Sequence, residues 1–451
     1  MTSTCTMRLS PRFEDSVERH LRDRFMFEAG KLDPQSFDHP TVLPRTLHIS
    51  TGTWQHLAHI AERAWTELSS AEKVLLDHED VWPKLGIPRR VQNLIRAERN
   101  AAHNAIAQVR FCRFDFHPTP NGWQASEINY DVPGGFLEAG PLTQIVAPHF
   151  NNVSCPPNPA QILAQQLAQA IQNQNFPPTA AMMHATSYSD DQQVMRCIAA
   201  ELARFGIATL DTAPDHLALD QNRVINTLTN QPLGCIVRFF PAEWLTHIRN
   251  QRSLRALTTG PFIRCNPLSA LLLQSKRTPL ILQSLGVPLP TWSTLLPRVH
   301  AIGSRRWHPQ LIAPKAVLKP NWGRVGESVC IPNATPNKTT KRATLAARLF
   351  PSHWILQDRF DSIPLSSDEG DYHVCLGVYV INDKAAGIYA RAARVAVIDH
   401  RAQDVAVLID PSLDARQPSS HINFDSQIAR STHETQAPHT QHTKEVLVGS
   451  A

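Results

Sequence analysis

A chain of 451 residues suffices for two or three domains or one large multi-lobed enzyme, and 42% hydrophobic with 18% charged residues supports a sizeable core and excludes wholesale disorder. A net charge of +5, with no Lys/Arg block interleaved with aromatics, gives no footprint for nucleic acid. Eight cysteines without a Cys-x-x-Cys pair point away from zinc or a redox dithiol and read as reduced thiols of a cytoplasmic protein; no apolar run has membrane-spanning length, and none follows Met1 as a signal peptide would.

Residues 1–100 read as mostly helical. Leu57, Ile60, Ala61, Ala64 and Leu68 keep helical spacing after Thr53, a candidate N-cap. Pro83, Gly86 and Pro88 end a second segment, and Val91, Leu94 and Ile95 begin a third. Nothing here carries chemistry: His56, His59 and His78 do not stand out in a chain with 21 histidines.

The next region, 101–178, holds the most informative stretch. Phe111, Arg113 and Asp115 fall on one side of an extended segment, and Cys112, Phe114 and Phe116 on the other. Pro118, Pro120, Asn121 and Gly122 break the pattern as a hairpin loop does, and Trp123 to Asn129 resumes it. Two paired strands would bring Asp115 to Glu127 and Asn129, with Arg113 beside them. Two carboxylates and an amide are hard oxygen ligands of the kind magnesium takes together with substrate phosphates. An arginine there neutralises charge during phosphoryl transfer. The plain alternative is a solvated strand face. Phe136–Val146 reads as a short helix, 151–159 as a loop, and 162–171 as a helix.

Residues 179–262 alternate strand and helix. Ala181–Ala185, Ile207–Leu210 and Gly234–Phe240 are short strands, and Gln192–Phe205 is a helix closed by Gly206. This predicts a small parallel α/β unit, and the absence of a GxGxxG loop disfavours a dinucleotide. Asp190 and Asp191 open its helix. They either cap it or hold a cationic amine.

In 263–411 a helix is expected from Cys265–Pro267 to Leu285, containing Lys276. Lys319 then leaves a strand just before Gly323-Arg324-Val325-Gly326. A lysine ahead of a glycine loop can clamp phosphate while backbone N–H groups cover it. Glycine is scarce, 18 in all, so two flanking Arg324 are not compositional noise. Tyr372–Ile381 and Ala385–Arg391 form a hairpin around Asn382-Asp383-Lys384. Arg391 is either a phosphate or substrate contact or a solvated strand arginine. From 412 to 451 periodicity fades into Ser, Thr, Gln, His and Pro, the composition of a disordered tail.

Arg113-x-Asp115, then Glu127-x-Asn129-x-Asp131-x-Pro133, together with Lys319-Pro320 and the glycine loop, resembles the synthetase domain of glutathionylspermidine and trypanothione synthetases, an ATP-grasp family. Asp115 and Glu127, twelve positions apart, match its spacing. The resemblance implies a permuted ATP-grasp α/β fold, with metal ligands ahead of the nucleotide lysines, a pre-ATP-grasp-like α/β unit and a helical N-terminal region. It implies that Asp115, Glu127 and Asn129 hold magnesium and that Arg113 is catalytic. It implies that Lys276, Lys319, Gly323, Arg324, Gly326, Gln357 and Arg391 contact ATP, the segment around Gln357 reading adenine through backbone groups. Arg238, in Arg238-Phe-Phe-Pro-Ala-Glu243-Trp244, falls on the substrate side with Asp190 and Asp191. The chain departs from the family at Gly134-Gly135, beside the metal motif, and at Val325, where many members have Glu. The implied activity is ATP-dependent ligation of a small-molecule carboxylate to an amine, a peptide or polyamine among the candidates, through an acylphosphate. The alternatives are a non-catalytic nucleotide-binding protein on the same fold and a phosphotransferase.

Overall fold

The computed structural model describes residues 6–36, 39–101, 106–303, 316–323, 326, 328–332 and 334–416. The alternation around Arg113 organises its centre. Phe111–Thr119 and Gly122–Asn129 pair antiparallel at one edge of an eight-stranded sheet. Gly370–Ile381, Lys384–Ala393, Gln403–Ile409, Val42–Ile49 and Met7–Leu9 follow in that spatial order, and Leu365–Ser367 adds to Gly370–Ile381. Cys112, Phe114 and Phe116 are fully buried, in one core cluster with Leu57, Ile60, Ala61, Ala64 and Leu68 of the long helix Thr51–Asp77. The opposite face of the hairpin is left for Arg113 and Asp115.

The expected helical N-terminal region has its three main helices, Asp15–Phe27, Thr51–Asp77 and Arg89–Ala101. It also supplies two strands of the central sheet, Met7–Leu9 and Val42–Ile49. Val42–Ile49 runs parallel to Gln403–Ile409, a partner too distant in the chain to be signalled locally. The long helix is capped by Ser50 rather than Thr53: Ser50 Oγ accepts the Thr53 N–H at 3.0 Å.

Thr179–Met183, Ala208–Thr212, Cys235–Arg238 and Ile263–Cys265 form the expected small parallel sheet, whose last strand runs past residue 262. A three-stranded antiparallel sheet, Val299–Ala301, Trp354–Asp358 and Ala316–Pro320, carries helix Asn337–Leu349 on a small core of its own. The single helix expected up to Leu285 is two, Ala270–Gln274 and Thr278–Ser284, and Lys276 sits in the break. The ordered chain continues past 412: Asp414 accepts the Thr51 and Gly52 N–H groups at 3.2 and 3.0 Å, a carboxylate at the start of the long helix. The expected tail from 417 onward lies outside the described residues. No helix among those described is long and apolar enough to cross a membrane.

Candidate active site

The hairpin register places Arg113 opposite Asn129 and Asp115 opposite Glu127. Arg113 donates Nε–H to Asp115 Oδ1 at 2.7 Å and an η nitrogen to Oδ2 at 3.0 Å. Asn129 Nδ2 donates to the same Oδ2 at 2.9 Å. A third bond runs from Arg113 to the Gly134 carbonyl at 2.7 Å, and Tyr389 lies under the guanidinium, 4.8 Å from ring centroid to Cζ. Two glycines make this geometry possible. A Cβ on Gly377, on the neighbouring strand, would stand 2.5 Å from the Arg113 Cδ. Gly135 has φ +92°, and a Cβ there would meet the Tyr389 ring at 2.8 Å. The Gly134-Gly135 departure from the family pattern therefore sits directly under Arg113.

These groups line a cleft of about 410 Å³, which also receives Asp190, Asp191, Gly326 and Arg391. Lys276, Lys319 and Gln357 line a smaller cavity of about 30 Å³ on the other side of the hairpin, and Ser126, Glu127 and Gln274 border both. Glu127 thus stands between the two groups. Lys276 Nζ lies 3.1 Å from Glu127 Oε2 and donates to the Gly323 carbonyl at 2.8 Å. Lys319 donates to the Ser126 carbonyl at 3.0 Å. Burial alone would raise the Glu127 carboxyl, but Lys276 and Lys319 hold it below the usual range. Burial pushes the Lys319 ammonium down to about 8, with Lys276 acting in the same direction and Glu127 against it. His117, also buried beside the cleft and bonded to Ser126 Oγ at 3.1 Å, is pushed down to about 3 and stays neutral at physiological pH.

Lys276 is aimed by the helix break. Ser275 Oγ donates to the Leu85 carbonyl at 2.7 Å, and Asn321 Nδ2 reaches the same carbonyl at 2.8 Å. These bonds hold the turn that replaces a continuous helix. Arg391 donates to the Asp399 and Ala402 carbonyls at 2.9 and 2.7 Å. Its Nε is buried and makes no hydrogen bond, although Asp404 Oδ1 lies 3.7 Å away.

Part of the cleft lining is acidic and is built from residues that carry no local motif; it adjoins Arg113 through Tyr389, whose hydroxyl donates to Asp404 at 2.6 Å. Lys31, Asp33, Glu138 and Asp404 line it together with Asp190. Although Asp190 as a whole is exposed, partial desolvation of its carboxyl in the cleft and the neighbouring Asp33 carboxyl push that group up to about 7. The N-terminal hundred residues, expected to carry no chemistry, thus contribute two charged groups to this cleft.

Of three further expected contacts, one lies away from the cleft, one lines the smaller cavity with Lys276 and Lys319, and one falls outside the described residues. Arg238 is buried away from the cleft, paired with Asp131, the third carboxylate of the motif, and bonded to the Phe240 carbonyl at 2.8 Å. Gln357 is buried in the middle strand of the small sheet. Arg324 lies outside the described residues. Gly326 borders the cleft with φ +68°, close to the Ile398 carbonyl.

The profile of the glutathionylspermidine synthase preATP-grasp family matches residues 48–410. No curated protein matches the chain in sequence. Among solved structures, a glutathione synthetase-like effector from Globodera pallida, in its apo form, superposes with a TM-score of 0.61 at 12% identity, covering 88% of this chain and 98% of that one. This likeness, with the family profile, fits an ATP-grasp-related fold. A protein assigned as a gamma-glutamylcysteine synthetase from Methylobacillus flagellatus gives 0.42 at 11% identity, covering 75% of this chain and 87% of that one, too low an overlap to bear on the fold. With its profile spanning the hairpin, the α/β unit and both lysines, the chain belongs to the glutathionylspermidine synthase preATP-grasp family.

Proposed function

We propose that the chain is an ATP-dependent ligase that joins a small-molecule carboxylate to an amine. The single observation that carries this reading is the position of Glu127. It borders both the cleft of Arg113 and Asp115 and the cavity of Lys276 and Lys319. A phosphoryl group moving from nucleotide to carboxylate needs such a boundary, with cations on one side and oxygen donors between.

The donor set fits magnesium. Among the described residues no group of three or more His, Cys, Asp and Glu is gathered for a metal. Magnesium at phosphate sites needs only one or two carboxylates, because phosphates and water complete its shell. Asp115, Glu127 and Asn129 would hold it, and it would supply charge neutralisation to the triphosphate. Asp115 and Glu127 are at present compensated by Arg113 and Lys276, charges that would be shared with the incoming ligand.

The chain's own groups then have distinct tasks. Lys276 and Lys319 bind the phosphates. Arg113 stabilises charge on the transferring phosphoryl group. Arg391, at the cleft wall beside Asp404, adds positive charge for an anionic substrate group. Asp190 and Asp191 orient the amine, and an Asp190 carboxyl near 7 suits acceptance of its proton. Catalysis is mainly positioning and electrostatic stabilisation. The carboxylate attacks the γ-phosphorus, ADP leaves, and the amine displaces phosphate from the acylphosphate to give the amide.

The test is incubation of the full chain with ATP, magnesium and pools of acids and amines, the carboxylates labelled with ¹⁸O. Amine-dependent phosphate release carrying one ¹⁸O is expected. Label retained in a phosphorylated product would favour a phosphotransferase. Binding of ATP without turnover in any pool would favour a non-catalytic role.

A further inference from the structure

We propose that Tyr389 is the positioning residue of Arg113: its ring supports one face of the guanidinium, and its hydroxyl, tied to Asp404, fixes the ring. This rests on the ligase reading above, which gives Arg113 its task. Arg113 Cζ stands 4.8 Å from the Tyr389 ring centroid, and the Tyr389 hydroxyl donates to Asp404 Oδ1 at 2.6 Å. Asp404 is buried, and its strand Gln403–Ile409 pairs with Lys384–Ala393, which carries Tyr389. The anchor therefore sits on the central sheet.

The backbone around the ring is shaped for this contact. Tyr389 stands opposite Gly377, and Gly377 opposite Asp115, so the three lie in one row across adjacent strands. A Cβ at 377 would come within 2.5 Å of Arg113 Cδ and 2.7 Å of Nε. The missing side chain lets the arginine lie across the middle strand, bonded to Asp115 and stacked on Tyr389. Gly135 does the same for the ring: a Cβ there would lie 2.8 to 2.9 Å from three of its carbons. The Gly134-Gly135 departure from the family pattern and the presence of Tyr389 are thus two halves of one arrangement.

The ring adds what the hydrogen bonds lack. Asp115 and the Gly134 carbonyl take bonds from Nε and both η nitrogens of Arg113. Guanidinium N–H groups point outward in the plane of the group, so these bonds fix the plane's position but resist tilting out of it weakly. A ring beneath the plane opposes that tilt. Asp115 is also a carboxylate that the ligase reading shares with magnesium, which weakens its hold on Arg113, whereas the ring is not shared. A tilted guanidinium would still leave nucleotide binding to Lys276 and Lys319, so the loss falls on kcat.

A ring that only filled space would move stability and leave Arg113 alone. The first test needs no ligand: the full chain labelled with ¹⁵N-arginine, with the Arg113 Nε–H resonance identified by its loss in Arg113→Lys. Tyr389→Leu should speed exchange of this proton with water by about tenfold or more, and Tyr389→Phe, which keeps the ring without its anchor, should fall between. The second test is phosphate release from ATP with magnesium and the acid and amine pools held fixed. Tyr389→Leu should lower kcat by about tenfold or more with the KM for ATP within about twofold, and Tyr389→Phe should lower it by about threefold. Arg113→Ala/Tyr389→Leu should be no slower than Arg113→Ala, because the ring acts only through that arginine. Unchanged exchange in Tyr389→Leu, a raised KM with kcat kept, or a further loss in the double variant overturns the proposal. If Tyr389→Leu gives no cooperative melt, Tyr389→Met takes its place with the same expectation; failure of both to fold would make Tyr389 a core residue and overturn the proposal as well. The expected exchange rates in a chain that never releases phosphate from ATP would sink the ligase reading alone.

Discussion

Asp115 and Glu127 face each other across one pair of strands, yet each carboxylate answers to a different cation: Arg113 for Asp115, Lys276 for Glu127. The two ion pairs belong to different cavities. A substitution on either side should therefore fail in its own way, although the residues are neighbours. Glu127→Ala is expected to lose metal-dependent ATP binding and turnover together, since it removes an oxygen donor and leaves Lys276 and Lys319 facing each other uncompensated. Arg113→Ala should keep most of its ATP affinity and lose kcat by about 10³-fold. Nucleotide titration with and without magnesium, beside steady-state kinetics, separates the two. Wild-type turnover in Arg113→Ala would contradict the assignment.

Lys319 gives a pH dependence with a definite sign. Its ammonium is pushed down to about 8, so it is charged at neutral pH and loses its proton as pH rises through that value. ATP affinity should then fall between about pH 7 and 9. Lys319→Ala should be weak throughout, by roughly 1–3 kcal/mol at pH 7. Lys319→Arg stays protonated over this range and should flatten the profile, even where it lowers affinity. A pH-independent wild-type affinity would refute the assignment of this group.

How much of this was legible from residues alone follows from what each feature depends on. The hairpin was legible because period-two alternation and a Pro/Asn/Gly break are local signals, and its register follows from them. The small parallel unit was legible for the same reason. Val42–Ile49 was not, because Pro44, Arg45 and His48 interrupt its apolar pattern and its sheet partner lies at Gln403–Ile409. The break that exposes Lys276 was hidden in an apolar run; it is held by Ser275 and Asn321 reaching Leu85, contacts with no local spacing. The acidic part of the cleft was least legible of all. Lys31, Glu138, Asp190 and Asp404 come from four separate segments, and only the fold brings them together.

Asp190 predicts a stability change as well as a role. A carboxyl raised to about 7 in the folded chain holds a proton that the unfolded chain releases near 3.8. The folded state binds more protons between these values, so stability falls as pH rises from about 4 to about 7. Asp190→Asn removes this contribution. Its Tm should match wild type near pH 4 and exceed it increasingly up to pH 7–8. A Tm difference that stays constant across this range would show that the carboxyl titrates normally.

Arg238 and Asp131 offer the sharpest contrast between a structural and a binding arginine. Arg238 was expected on the substrate side, but its guanidinium is buried against Asp131, which also accepts the Ala242 N–H at 3.0 Å. The pair joins the motif strand to the parallel unit. Removing one partner leaves the other charge buried and uncompensated, a loss of roughly 3–5 kcal/mol. Asp131→Ala should therefore lower the denaturation midpoint strongly. Arg238→Met, which keeps much of the volume but strands Asp131, should do the same. Asp131→Leu with Arg238→Met removes both charges and should recover much of the stability, as apolar replacement of a whole buried pair can. KM for every substrate should stay near wild type in whatever folded fraction the single variants retain. A rise in one substrate's KM without loss of stability would return Arg238 to the substrate site.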